Sequence, residues 1–205
     1  MQRKLLLIRH GQIQANRAGR WHGSTDSPLT WTGRSQARRV AKALRRWSVE
    51  NACAIGAIYS SPLQRCAQTA EKIAKQIGRE VTLEPDLREY SVGELENTTF
   101  RDLAEQHGFF EQIKADPTYA PAKGESVVSV ADRMIPALER IYCAHPDADN
   151  IVVVSHGAAM AIALAALIDG NPSLWTQYSF GNCSITELHL EPEPCVGHFN
   201  RTEHL

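Results

Sequence analysis

Cysteine is scarce and unpatterned in this chain. Five occur in 205 residues, at positions 53, 66, 143, 183 and 195, with no Cys-x-x-Cys pair. That excludes a disulfide framework and a cysteine-based zinc site, and a reducing cytoplasm is the expected compartment. Long apolar runs are also missing. The longest, 158–168, is eleven residues, against the roughly 20 that cross a bilayer. The run behind Arg3 and Lys4 covers only 5–8, too short for a signal-peptide core. The protein reads as soluble, with no membrane partner. There is little net charge: 22 Lys and Arg face 23 Asp and Glu, giving −1. A global polyanion-binding surface is therefore not indicated. Aromatic residues make up only 7% and do not interleave with basic ones, which excludes a nucleic-acid partner. No internal repeat or low-complexity tract occurs.

What is present is ordinary domain composition, with 43% hydrophobic and 22% charged residues. The length suits one domain over 1–205 that buries roughly 70% of its unfolded surface. Segments of two kinds alternate along it. Residues 5–8 and 151–154 are aliphatic runs that read as strands buried on both faces, as in a parallel sheet. Residues 57–60, 80–83 and 184–190 are further strands, and 196–200 pairs back as an antiparallel edge. Helical spacing of apolar residues marks 32–47, 66–77 and 129–144, the last with Ser129 and Asp132 placed like a capping box. Residues 158–167 are apolar almost all round, so that helix should be deeply buried. The arginines of 32–47 read as a solvated face. This alternation predicts an α/β fold in three layers: a mostly parallel central sheet, one antiparallel edge strand and helices on both faces. The stretch 91–126, with Pro117, Pro121 and Phe109-Phe110, reads as a small helical lid inserted in that domain.

In open α/β sheets, ligands gather outside the carboxyl ends of the strands. The first strand ends in Arg9-His10-Gly11, and that at 151–154 in Ser155-His156-Gly157. The strand at 57–60 leads to Arg65, and that at 80–83 to Glu89. Four segments thus deliver two Arg, two His and one Glu to one edge. A guanidinium fork matches a phosphate or carboxylate. Imidazole serves near neutral pH as nucleophile or proton carrier. A metal site is the rival reading, but Glu89 is the one carboxylate nearby, and two guanidinium groups would repel a dication. Phosphoryl transfer without metal or other cofactor is favoured, with arginines stabilising the charge.

These residues resemble the histidine phosphatase superfamily, also called phosphoglycerate mutase-like. The likeness rests on Leu7-Ile8-Arg9-His10-Gly11-Gln12 with Asn16, then Gly23, Asp26, Pro28-Leu29-Thr30 and Gly33. It continues through Ser60-Ser61-Pro62-Leu63-Gln64-Arg65 with Thr69-Ala70, and Leu87-Arg88-Glu89 with Gly93 and Glu96. Gly124-Glu125-Ser126 and Ser155-His156-Gly157 complete five motifs in the family's order. The resemblance implies that His10 becomes phosphohistidine, and that Arg9, Arg65 and His156 complete the phosphate pocket. Asn16 would donate to a phosphate oxygen. Glu89 would protonate the leaving oxygen and then activate water. Gln12, His22, Gly23 and Gly157 are expected to bind substrate.

Two positions depart from the family pattern. Ile13 replaces a common Thr, and Asn97 replaces the Gly that commonly follows the motif Glu. After Glu89, Tyr90-Ser91-Val92-Gly93 lacks the basic residues of the mutase branch. A phosphatase acting on a small phosphorylated metabolite is therefore expected. It is similar to branches that hydrolyse α-ribazole phosphate or fructose 2,6-bisphosphate. The alternatives are mutase-type transfer and a catalytically silent phospho-ligand binding protein. The oligomeric state is open, a homodimer included. Trp21, Trp31, Trp47 and Trp175 read as packing residues; the histidines at 107, 145, 189, 198 and 204 read as surface or core hydrogen-bonding groups. Gly181-Asn182 is expected to approach the site.

Overall fold

The structure, a computed structural model, describes residues 3–205. Aliphatic residues that bury both faces of a strand need helices above and below them. The chain supplies these by alternation. It runs β1 (Lys4–Arg9), α1 (Gln14–Arg17), α2 (Trp31–Glu50), β2 (Ile55–Ser60), α3 (Gln64–Ile77) and β3 (Val81–Leu83). There follow α4 (Phe100–Glu105), α5 (Phe109–Ala115), α6 (Val127–Cys143), β4 (Asn150–Ser155), α7 (Gly157–Asp169), β5 (Ile185–His189) and β6 (Cys195–Val196). Among the described residues the strands form one sheet in the order β3-β2-β4-β1-β5-β6. The pairs β3–β2, β2–β4 and β4–β1 are parallel. At the other side β5 runs antiparallel to β1, and β6 to β5. This is the predicted three-layer arrangement with its antiparallel edge. The edge is shorter than 196–200: beyond β6 a single bridge joins Ile185 to Arg201.

Strand periodicity divides the core in two. Leu6 and Ile8 of β1 and Val152 and Val154 of β4 face α2 and α3, meeting Ala37, Val40, Ala41, Leu44, Ala70 and Ile73. Leu5, Leu7, Ile151 and Val153 face the opposite way, toward α6 and α7. The 91–126 excursion enters this second cluster through Val92, Leu103, Phe109 and Ile113. Helix α7 is buried from Ala159 to Ala165 on all sides, as its uniformly apolar sequence requires.

Two expectations are corrected. The capping box of α6 lies three residues earlier than Ser129 and Asp132 suggest. Ser126 accepts the Ser129 N–H at 3.0 Å, and the Ser129 hydroxyl takes the Ser126 N–H at 2.9 Å. Serine can serve at the third position because its short hydroxyl reaches back as well as a carboxylate does. Trp31 is not a packing residue. It opens α2 at 82% exposure, with the Arg34 guanidinium 4.6 Å from its ring centre.

Candidate active site

The carboxyl ends of β1 and β4 lie side by side because the two strands pair in register, Arg9 opposite Ser155. The residues that follow them, His10 and His156, therefore meet, with ring centres 5.3 Å apart. The turn after β1 is held from three sides. Gly11 N–H donates to Thr69 Oγ1 at 3.1 Å, and Gln12 N–H donates to Gln36 Oε1 at 2.9 Å. Asn182 Nδ2 donates to the His10 carbonyl at 3.0 Å. A side chain at Gly11 would lie 2.5 Å from the Gly33 carbonyl, so only glycine lets this turn pack on the start of α2.

Hydrogen bonds fix the state of each imidazole. The Gly11 carbonyl, an acceptor only, lies 2.7 Å from His10 Nδ1, so that nitrogen carries the proton. His10 Nε2 is then left with its lone pair. Burial, and next the Arg65 and Arg9 guanidinium groups, hold this ring well below the ordinary imidazole pKa. At neutral pH it is an uncharged ring with one bare nitrogen. His156 Nδ1 accepts from Arg65 Nε at 3.1 Å, and its Nε2–H donates to Ser61 Oγ at 2.8 Å. Burial first, then Arg65, holds it well below the usual value too.

A cleft of about 170 Å³ opens over these groups, lined by Arg9, His10, Asn16, Glu89 and Gly157 on the phosphate side. Arg9 Nε is buried there without a partner. Gly157 makes room for it, since a side chain at 157 would come 3.2 Å from that nitrogen. Asn16 Oδ1 accepts from Ile13 N–H at 3.1 Å and Asn182 Nδ2 at 3.2 Å, which leaves its own NH₂ to donate. Glu89 sits at the start of α7. Its Oε1 takes Tyr90 N–H at 2.9 Å and Ala159 N–H at 2.8 Å, while Oε2 takes Ala158 N–H at 3.4 Å. The less occupied Oε2 is the oxygen available for proton transfer.

Arg65 and His156 lie behind the cleft wall rather than on it; both are fully buried. Arg65 spends its donors on His156, Thr25 O, His22 O and Gly23 O, leaving one Nη1 hydrogen. Its charge is felt at His10, whose pKa it lowers. Gln12 and Gly23, expected to bind substrate, both make hydrogen bonds within the protein. Gln12 Oε1 accepts the Thr30 hydroxyl at 3.1 Å, at the start of α2. Gly23 holds Arg65 through its carbonyl and donates its N–H to Glu96 Oε2 at 2.9 Å. His22 and Gly157 do line the cleft.

The outer wall includes Arg20, Trp21, Phe100, Trp175, Tyr178 and Phe180. Trp21 and Trp175 pack edge-on, as expected, with centres 6.0 Å apart, and they also face the cleft. Arg20 and 178–180 carry no motif that would reveal them. Arg133 is a further residue that spacing could not find. It clamps the Glu89 segment by donating to the carbonyls of Asp86, Arg88 and Glu89 and to both oxygens of Glu125. Burial would push the Glu125 carboxyl up, but Arg133 holds it below its ordinary value.

Arg9 Nη1 donates to Phe180 O at 2.5 Å, while its Nε meets a bare imidazole nitrogen, an amide donor and a carboxyl group at one cleft, a set of groups suited to an anionic phosphate ester. The pattern of the histidine phosphatase superfamily (branch 1) matches residues 5–200, and the chain belongs to that superfamily. It is 34% identical over 194 residues to a Photorhabdus laumondii protein named "Probable phosphoglycerate mutase GpmB", covering 93% of this chain and 86% of the other. Among solved structures it resembles the mycobacterial glucosyl-3-phosphoglycerate phosphatase in complex with VO3. That match has a TM-score of 0.85 and 29% identity, over 98% of this chain and 100% of the other. It also resembles the Entamoeba histolytica phosphoserine phosphatase in complex with 3-phosphoglyceric acid. Here the TM-score is 0.83 and the identity 33%, over 98% of both chains. The chain is an enzyme of the histidine phosphatase type, acting on small phosphorylated metabolites. No described helix is long and apolar enough to cross a membrane.

Proposed function

We propose that the protein hydrolyses phosphomonoesters through a phosphohistidine at residue 10, with guanidinium groups rather than a divalent ion stabilising the transferring group. The observation that carries this reading is the state of His10: Nδ1–H is spent on Gly11 O, and Nε2 is unprotonated in the cleft. In the first step Nε2 forms a bond to phosphorus as the ester P–O bond breaks. Glu89 gives its proton to the departing oxygen. In the second, water loses a proton to Glu89 and attacks phosphorus, the P–N bond breaks, and inorganic phosphate leaves. Arg9 Nε and Asn16 Nδ2 donate to the phosphoryl oxygens throughout. The scattered, unpaired spacing of the five cysteines supports a reducing cytoplasm as its compartment.

Transfer back to a second substrate oxygen is the rival, and the similarity to a protein named as a mutase keeps it in view. A mutase must retain a doubly phosphorylated intermediate. Beyond Arg9, the described lining of this cleft offers one more guanidinium, Arg20. Water is therefore the expected acceptor. Incubation with 3-phosphoglycerate should release phosphate and yield little 2-phosphoglycerate; abundant isomer with little phosphate would reverse the assignment. Turnover of p-nitrophenyl phosphate should survive chelators and be lost in His10→Ala.

A further inference from the structure

The outer surface of α2 and α3 departs from the charge pattern of the rest of the molecule. Helix α2 carries six Arg and Lys against one carboxylate, Glu50, in a chain whose net charge is −1. Arg34, Arg38, Lys42 and Arg46 recur at every fourth residue, so each cation stands one turn from the next on one side of the helix. A face built only for solvation favours carboxylates at that spacing, because like charges four apart destabilise a helix. Here the ladder meets an acid only at its end, where Arg46 Nε lies 3.8 Å from Glu50. Other exposed cations do find carboxylates: Arg101 pairs with Glu105, Lys123 with Glu94 and Arg140 with Asp86.

The two helices run side by side in the same direction and are tied at both ends. Just before α2, Leu29 N–H donates to Gln68 Oε1 at 3.1 Å; near its end, Arg45 Nη1 donates to Gln76 O at 3.2 Å. Between these ties lies a groove of about 340 Å³, twice the volume of the catalytic cleft. Arg38, Ala41 and Lys42 line it from α2, and Lys72, Lys75 and Gln76 from α3. Four of these six are cations and none is a carboxylate. Arg38, Lys42 and Lys75 are exposed and Lys72 is half-buried. No described carboxylate pairs with any of the four. Within each helix the two cations are three or four residues apart, about 6 Å, so their repulsion is unrelieved by the protein itself. An anion lying in the groove would relieve it.

We propose that the α2–α3 groove is a second anion site, sharing no residue with the catalytic cleft, and that it binds a short polyphosphate chain. Four cations on two facing walls match a ligand that carries several charges in a row. The Arg38 fork suits phosphoryl oxygens, and the three lysines act as point charges along the chain. The remaining lining, Ala41 and Gln76, offers no aromatic ring on which a base could stack and no apolar wall for an organic group. The groove therefore reads the phosphate chain itself, whether free or carried as the tail of a nucleotide. Orthophosphate, which spans fewer of the four cations, is held less well.

The test is calorimetric titration of the full chain with tripolyphosphate at about 50 mM salt, with orthovanadate present to fill the catalytic cleft. One equivalent should bind, about tenfold or more tighter than orthophosphate, and salt at about 300 mM should weaken it strongly, as it does for exposed charges. The double variant Lys42→Gln/Lys72→Gln should bind about tenfold more weakly, the order expected for two exposed charge contacts. Its hydrolysis of p-nitrophenyl phosphate should match the wild type, which shows that it folds. Arg101→Gln/Lys123→Gln, the same change in net charge placed elsewhere, should bind tripolyphosphate as the wild type does. ATP distinguishes the sources. Equal affinity for ATP and tripolyphosphate supports the site with a nucleotide tail as ligand; much weaker ATP binding supports it with the free chain. Absence of tripolyphosphate binding, or binding that Lys42→Gln/Lys72→Gln leaves unchanged, overturns the proposal. So does binding of a single-stranded RNA oligonucleotide without any of tripolyphosphate, which would assign the face to nucleic acid.

Discussion

At the scale of single residues, the site works by committing every hydrogen bond that could hold its reacting atoms in the wrong state. Gly11 O fixes the His10 proton on Nδ1, and two backbone N–H groups occupy Glu89 Oε1, so one nitrogen and one oxygen remain to react. Glu89→Gln keeps these contacts but has no proton to give. It should slow hydrolysis of alkyl phosphates by about a hundredfold or more, within the usual range for general acid catalysis. Aryl esters with good leaving groups should lose far less, as paired kcat measurements would show; equal losses for both would rule out the acid role. His10, Arg9 and Glu89 were legible in the sequence because each ends or follows a strand, and parallel strands end at one edge. Arg20 and the 178–180 segment were not, because loops bring them in and loops have no periodicity to read. Ile13 was legible as a departure; its side chain is buried, in the same apolar cluster as Leu29 and Ala37.

At the scale of elements, hydrophobic period located strands and helices to within a few residues, whereas end chemistry was harder to place. The capping box of α6 illustrates why. Ser126-Val127-Val128-Ser129 and Ser129-Val130-Ala131-Asp132 offer the same spacing, and sequence favours the carboxylate. Tertiary context decides otherwise, because Val127 is fully buried and must already belong to the helix. Ser126→Ala should then destabilise the protein by about 1 kcal/mol. Asp132→Ala, away from the cap, should stay within about 0.5 kcal/mol. Urea midpoints distinguish them, and the reverse order would place the cap at Ser129. Arg133 shows the functional side of the same helix. It rises from α6 to grip the carbonyls of Asp86, Arg88 and Glu89, so the helix that covers the sheet also sets the Glu89 carboxyl group.

At the scale of the whole molecule, a catalytic centre buried between two core clusters makes stability depend on pH. His10 and His156 are held well below their unfolded pKa, mainly by burial. Below about pH 6.5 the unfolded chain takes up protons that the folded one refuses, so their contribution is complete above that pH and is lost as pH falls. Each costs up to about 1.4 kcal/mol per pH unit. Unfolding free energy should therefore drop between pH 7.5 and 5.5, and His156→Asn should flatten the slope. Glu125, held below its ordinary value, has the opposite charge type but the same sign, and acts only at lower pH. An unchanged midpoint across that range would mean that the imidazoles are not buried as described. The fold class itself was the most legible feature, since the alternation of aliphatic strands with amphipathic helices leaves few other layer arrangements.

Rapid-quench labelling bears most directly on whether residue 10 takes up the phosphoryl group. A ³²P-phosphomonoester mixed with enzyme and quenched within one turnover should yield labelled protein whose bond is labile to acid and stable to alkali. The label should map to the peptide containing His10 and be absent from His10→Ala. Full turnover with no labelled protein at any time, or a label on another residue, would contradict it.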